Sequence, residues 1–267
     1  MIPKIIHYCW FGGNPLPELA VKCIESWKKF CPDYEIKEWN ETNFDLDCCD
    51  YVKEAYSAKK WAFVSDYARF WILYHEGGLY FDTDVEIIKP IDEIVKRGSF
   101  MGCETIGQCN PGLGLAAEAG LELYREILEF YKKKHFFNKD GIADTTTIVI
   151  YVTNILKNHG WAGEEKIQKI EEILIYPQEY FCPMDYETGK VVITQNTYTV
   201  HHYTASWHSK TEDRIINISR FCNNYFGKYF GKKVARFIDF PFRIKNKIEQ
   251  LGFFGMLKFA LNKIICK

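Results

Sequence analysis

The stretch from Lys60 to Asp84 constrains this chain more than any other. Residues 60–75 are almost continuously apolar, with Trp61, Phe63, Val64, Ala68, Phe70, Trp71, Leu73 and Tyr74, and the pattern predicts a helix. Gly77-Gly78 follows where a helix stop places glycine. Leu79-Tyr80-Phe81 then reads as a short strand that runs into Asp82-Thr83-Asp84. This order puts Asp82 and Asp84 at the carboxyl end of a strand, where open α/β sheets bind ligands. Two hard oxygen donors there suit Mg²⁺ or Mn²⁺ bridging a diphosphate. The pair alone reads equally as a solvated turn. Asp45-Leu46-Asp47 has the same spacing but no strand before it.

Two further clusters carry chemistry. Ser65-Asp66-x-x-Arg69 interrupts the apolar helix, and Asp66 and Arg69, three apart, share one of its faces. On a mostly buried helix such a pair is either an internal ion pair or aimed at a ligand. Near the other end lies His201-His202-Tyr203-Thr204-Ala205-Ser206-Trp207-His208. Imidazole there offers a third metal ligand and a phosphate contact. Each of these histidines taken singly reads equally as a surface or core residue.

The rest of the chain alternates in the same manner. Ile2 to Trp10 is predicted as a buried strand, 17–30 as a helix and 34–39 as a strand. Strands are expected within 99–118 and a helix over 120–134. Residues 145–158 suit a helix, although Thr145 to Ile150 also suits a strand, and 190–203 alternates as a strand. Strand–helix–strand alternation predicts an α/β protein, a Rossmann-like mixed sheet with helices on both faces. At 47% hydrophobic and 16% aromatic, the chain can bury a large core and still line a stacking pocket.

Charge divides the chain. Residues 209–267 hold thirteen Lys and Arg against four Asp and Glu, an excess of nine positive charges. With a net charge of −1 overall, residues 1–208 therefore carry an excess of ten negative ones. The simplest parse is a catalytic domain over 1–210 and a basic, amphipathic helical extension over 211–267. The apolar and basic run from Phe237 to Arg243, and again from Leu251 to Leu261, reads as an interfacial helix pair for an anionic membrane surface, as a helix packed on the domain, or as a dimer interface. Nucleic acid is not an expected partner, because the body is acidic and holds no recognition motif. No apolar run reaches the eighteen or so residues of a membrane span. The N-terminus lacks a signal-peptide pattern, so the chain is expected in the cytoplasm, with its ten cysteines as thiols. No C-x-x-C pair marks a zinc ribbon.

Four blocks occur in one order: Lys4-Ile5-Ile6-His7-Tyr8-Cys9-Trp10-Phe11-Gly12, Trp61 to Arg69, Gly77 to Asp84, and His201-His202-x-x-x-Ser206-Trp207. Over about residues 2–207 the chain resembles glycosyltransferase family 32, the DXD sugar transferases that include capsular and surface polysaccharide enzymes. The resemblance implies a GT-A fold, a nucleotide-sugar donor with UDP favoured, a divalent cation such as Mn²⁺ or Mg²⁺, and retention of anomeric configuration. It implies a saccharide or lipid-linked acceptor and a place at the inner face of the cytoplasmic membrane. Carried onto this chain, it gives Trp10 the donor base, with Tyr8, Ser65 and Tyr80 lining the donor site. Asp66 meets the ribose or donor sugar, and Arg69 the donor sugar or a phosphate. Asp82 meets ribose and metal, and Asp84 the metal. His202, or His201, completes the metal or phosphate site, while Ser206 and Trp207 close over the diphosphate. Asn110 reaches the sugar or acceptor, although Pro111-Gly112-Leu113-Gly114 departs from the family pattern, and Asp144 is a second candidate for that role.

Two other readings stand beside this one. A haloacid-dehalogenase-type phosphohydrolase also carries D-x-D after an apolar strand, with the first Asp as nucleophile. Its motif usually has Thr or Val where Glu86 stands here, and usually opens the chain. A catalytically inactive, sugar-nucleotide-binding accessory subunit is the other.

Overall fold

The computed structural model describes residues 1–203 and 210–246, with Ile248 and Gly255. In chain order the elements are β1 (Ile5–Cys9), α1 (Glu18–Phe30), β2 (Glu35–Trp39), α2 (Asp50–Ser57), α3 (Trp61–Glu76), β3 (Gly78–Tyr80), β4 (Val85–Ile87), α4 (Asp92–Val95), β5 (Phe100–Thr105), β6 (Gln108–Cys109) and β7 (Leu115–Ala117). There follow α5 (Glu122–Lys132), α6 (Ile148–Asn158), β8 (Gln168–Ile170), β9 (Ile173–Tyr176), α7 (Gln178–Phe181), β10 (Thr199–His201) and α8 (Lys210–Ile238). They fall into two compact units. One comprises residues 1–184 and 192–203; the other joins residues 185–191 to α8 and the C-terminal residues beyond it. The loop 185–191, inside the first segment by sequence, thus groups with the C-terminal helices.

The first unit is a mixed α/β structure. Its sheet has the strand order β2-β1-β3-β7-β5-β9-β8, with β6 against β5. β1 runs parallel to β2 on one side and β3 on the other. β7 then joins β3 antiparallel. The chain leaves β1 toward β2, then crosses back over β1 to β3, so the order reverses between β1 and β3. In an α/β sheet, such a reversal opens a crevice beyond the strands' carboxyl ends. Trp10 follows β1 there, and Asp82 follows β3.

Alternation along β1 divides the core. Ile6 and Tyr8 pack with Trp27 of α1 and with Phe81 on one face. Cys9 packs with Val64, Tyr67 and Ala68 of α3 on the other. The Trp27 indole is fully buried and donates to the Val85 carbonyl at 2.7 Å, which ties α1 to β4.

The turn from α3 into β3 explains its two glycines. Gly77 caps the helix at φ 67°, its N–H on the Leu73 carbonyl. At Gly78 (φ 98°) a Cβ would lie 2.8 Å from the Ile5 oxygen and 2.9 Å from His7 Nε2. His7 is fully buried. Trp39 Nε1 donates to its Nδ1 at 3.0 Å, so Nε2 carries the proton and donates to the Gly77 carbonyl, also at 3.0 Å. Burial lowers the His7 pKa to about 4, so this imidazole is a neutral strut between β2 and the glycine turn.

Several expectations need adjustment. The strand expected over 190–203 is confined to β10, which pairs antiparallel with β4. Ahead of it, Thr194 N–H donates to the Thr197 hydroxyl at 3.0 Å and Asn196 N–H to the Thr194 hydroxyl at 3.1 Å. Such side-chain hydrogen bonds offer the backbone a turn in place of a ladder. Residues 148–158 are helical, with Thr147 as the N-cap. α2 and the β8–β9 hairpin are additions that the sequence pattern does not announce. Leu251 to Leu261, apart from Gly255, lies outside the described residues. Among the described residues no helix is long and apolar enough to cross a membrane, and their nine cysteines are free thiols.

Candidate functional site

α3 delivers Asp66 and Arg69 to the carboxyl edge of β1 and β3, and both are buried. Arg69 organises the group. Its Nη2 lies 2.9 Å from Asp66 Oδ1 and 3.3 Å from Asp82 Oδ1, and its Nε donates to the Ser65 carbonyl at 3.1 Å. Its guanidinium stands over the Tyr80 ring, 5.0 Å from the centroid, and the Tyr80 hydroxyl donates to Asp82 Oδ1 at 3.1 Å. One cation therefore serves two carboxylates and an aromatic face, which is how a helix as apolar as α3 accommodates charge. Burial pushes Asp66 up to about 7; Arg69 pulls it back and the Asp82 charge adds to the rise. Near neutral pH this carboxyl sits between its two protonation states. Burial likewise raises the Cys9 thiol to about 12, offset in part by Arg69 and by the Tyr80 and Ser65 hydroxyls.

The second carboxylate has its own cation. β10 pairs with β4 so that His201 stands opposite Val85, the residue after Asp84. His201 Nε2 lies 3.2 Å from Asp84 Oδ1. Burial disfavours a charged ring, but the Asp84 carboxylate outweighs it and lifts His201 well above its ordinary value. His202 points elsewhere, with Nε2 2.9 Å from Glu86 Oε2, while its backbone N–H donates to the Asp84 carbonyl at 3.0 Å. Of the two histidines offered by the sequence, the structure sets His201 beside Asp84.

The loop after β6 closes over Asp82. Asp82 N–H donates to the Gly112 carbonyl at 2.9 Å. A Cβ on Gly112 would lie 1.9 Å from Asp82 Oδ2 and 3.1 Å from Arg69 Nη1. Only hydrogen fits there. Asn110 Oδ1 accepts from Gly112 N–H at 2.8 Å, and its amide donates to Glu104 Oε2 at 2.9 Å. Asn110 thus shapes the loop that covers Asp82. Sequence reasoning missed Gly112 and Cys9 as members of this group. For Gly112 a signal existed: the Gly-rich departure at Pro111 to Gly114 is where the loop meets Asp82.

Other candidates lie apart. Tyr8 points to the opposite face of the sheet from Cys9, and its hydroxyl donates to Glu38 Oε2 at 2.6 Å. Trp10 is partly exposed just beyond β1, its indole N–H on the Asn14 carbonyl at 2.6 Å. Asp144 forms a separate group with Lys134 at 3.1 Å and the Tyr151 hydroxyl at 2.7 Å. Ser206 and Trp207 lie outside the described residues.

No group of three or more His, Cys, Asp and Glu among the described residues forms a metal shell. Asp82 and Asp84 nonetheless fit a hard divalent cation in kind. Mg²⁺-type sites commonly take one or two carboxylates and complete their shell with water and substrate phosphate.

Residues 17–101, which include Asp66, Arg69, Asp82 and Asp84, match a family model described as a glycosyltransferase sugar-binding region containing a DXD motif. Trp10, Asn110 and His201 lie beyond the match. The chain is 30% identical over 152 residues to inositol phosphoceramide mannosyltransferase 1 of Schizosaccharomyces pombe, covering 52% of this chain and 46% of that protein. It is 31% identical over 102 residues to inositol phosphoceramide mannosyltransferase 3 of the same yeast, covering 35% and 27%. The chain thus spans less than half the length of these relatives. Among solved structures it is similar to the PaToxG glycosyltransferase, with TM-score 0.44 and 18% identity over 59% of this chain and 69% of that one. A glycosyltransferase involved in glycosylation of the major capsid of PBCV-1 gives TM-score 0.45 and 14% identity over 80% of this chain and all of that one.

Proposed function

We propose that the chain is a retaining glycosyltransferase. It would move a sugar from a nucleoside diphosphate donor to a saccharide or lipid-linked saccharide acceptor, as in surface polysaccharide synthesis. The observation that carries this reading is Arg69, fixed between Asp66 and Asp82 at the carboxyl edge of β3. Breaking a sugar–phosphate bond leaves charge on the diphosphate, and groups fixed in advance where that charge develops lower the barrier. Arg69 is such a group, and His201, 3.2 Å from Asp84, would orient that carboxylate. Asp82 and Asp84 would hold a divalent cation, Mn²⁺ or Mg²⁺, whose contribution when bound is to neutralise the leaving diphosphate. Asp66 accepts a hydroxyl of the ribose or donor sugar. Trp10, partly exposed beyond β1, offers a face for the donor base. For retention, the departing diphosphate accepts the acceptor's proton on the face it leaves, so no protein nucleophile is required.

The resemblance favours a UDP donor. The names of the yeast relatives add a mannosyl donor and a phosphoinositol-bearing ceramide acceptor to those worth trying. The test is binding and hydrolysis of a panel of UDP- and GDP-sugars with Mn²⁺ or with EDTA. Turnover of one donor that EDTA stops supports the reading and names the sugar. Turnover that EDTA leaves intact removes the metal from it. Binding without turnover favours the accessory subunit, and folded protein that binds no donor overturns the proposal. Asp84→Asn should lower turnover at least about a hundredfold with an unchanged circular dichroism spectrum.

A further inference from the structure

α8 carries its large side chains on the wrong side for a helix in water. It bends at Gly227, whose φ of 73° and ψ of 156° are open to glycine. Beyond the bend the two arms come together closely: a Cβ on Gly231 would lie 2.6 Å from Asn223 Cα. Gly231, Ala235 and Asp239 recur every four residues on the second arm and are buried. The buried side of this arm is therefore made of small residues. Away from it, Tyr229, Phe237 and Phe240 are 78%, 85% and 60% exposed. Lys233 and Arg236 stand among them, also exposed. Around the bend the ring surface continues through Phe221, Tyr225, Phe226 and Phe230, with successive centroids 5.3, 6.0 and 6.1 Å apart.

An ordinary surface helix turns its aromatics inward and its polar residues out. Contiguous exposed apolar surface of this extent marks an interaction site. We propose that this face docks on an anionic lipid bilayer, with the rings seated among the headgroups and Lys233 and Arg236 against lipid phosphates. Charge selects that occupant. Residues 210–246 hold nine Lys and Arg and three Asp and Glu. One of the three acids, Asp239, is buried with both oxygens on Arg243 at 2.6 Å. Aromatic rings with interspersed cations are the composition of interfacial helices, and each cation near an anionic surface contributes about 1 kcal/mol. A second copy related by a twofold axis would set two faces of like charge against each other. The face overlaps the one expected from sequence at Phe237 and Phe240 and extends it back to Phe221, and it does not rest on the transfer reading.

The experiment is co-sedimentation of the full chain with two kinds of vesicle, one of phosphatidylcholine alone and one with about a third phosphatidylglycerol. The protein should partition to the anionic vesicles and not to the neutral ones, and high salt should weaken it. Lys233→Glu with Arg236→Glu, and separately Tyr229→Ser with Phe237→Ser, should each lower partition about tenfold or more at unchanged thermal midpoint. Equal binding to both vesicles, binding to neither, or undiminished binding by both variants overturns the proposal. So does lipid-free self-association that Tyr229→Ser with Phe237→Ser abolishes, which would give the face to a second copy. Capture of the patch by an oligonucleotide in place of vesicles would give it to nucleic acid.

Discussion

α3 hides charge where a helix ordinarily hides hydrocarbon, and α8 shows rings where a helix ordinarily shows charge. The first inversion is compensated inside the protein. Arg69 answers Asp66 and Asp82, and the Tyr80 ring and hydroxyl complete the group. The second is not compensated by anything among the described residues, since Tyr229 and Phe237 remain mostly exposed. Residues in the wrong medium thus point to function in two ways. In the proposed function the satisfied buried network receives a ligand that enters it. An unsatisfied exposed surface is a site prepared for something that covers it.

The contrast can be broken most severely at Arg69. Arg69→Ala leaves Asp66 and Asp82 without their shared cation and should cost about 3–5 kcal/mol in mildly alkaline buffer, read from urea unfolding. The loss should shrink as the pH falls through about 7, because Asp66, raised to about 7 even beside Arg69, takes a proton more readily once that partner is gone. A loss under about 1 kcal/mol would mean that the network carries little of the fold.

The next largest effect concerns His7. Its folded pKa, about 4, lies below the unfolded value of about 6.5. Both states are neutral at pH 7. As the pH falls below 6.5 the unfolded ring takes a proton that the folded ring refuses until about 4. The contribution of His7 to stability therefore falls across that window, by about 3 kcal/mol in all. His135, beside Glu54, and His159, between Glu171 and Glu126, are shifted upward and act in the opposite sense. Titration of the ring C–H signals by NMR separates them: His7 should stay unprotonated after the other two have charged. A His7 signal that moves near pH 6.5 would remove the neutral strut.

The smallest effect sharpens the comparison from the other side. Tyr229→Ser with Phe237→Ser should leave lipid-free stability within about 0.5 kcal/mol, since neither ring is packed away from water. A loss of several kcal/mol would show that the rings are structural after all.

Local causes were legible in the sequence and distant ones were not. The α3–glycine–β3–Asp82 order could be read, because an apolar period, a left-handed stop and a short strand are all local signals. That Arg69 spans two carboxylates could not. It depends on β3 lying beside β1 and on Gly112 arriving from beyond β6, both consequences of strand order. The choice between His201 and His202 was equally hidden. Neighbours on a strand point to opposite faces, and only the β10–β4 register decides which one meets Asp84. The false strand before β10 arose because the β-branched run Val191 to Thr194 favours a strand whether or not hydroxyls have captured the backbone after it.

The fork of Arg69 also bears on the entropy of binding. Its side chain is already held in place by Ser65, Asp66, Asp82 and Tyr80 before any ligand binds. Ordering a long cationic side chain ordinarily costs about 0.5–1.5 kcal/mol at the moment of association. Here folding has already met that cost. If a donor binds as proposed, its calorimetric entropy should change little when Arg69 is replaced by Lys beyond what the lost contacts explain.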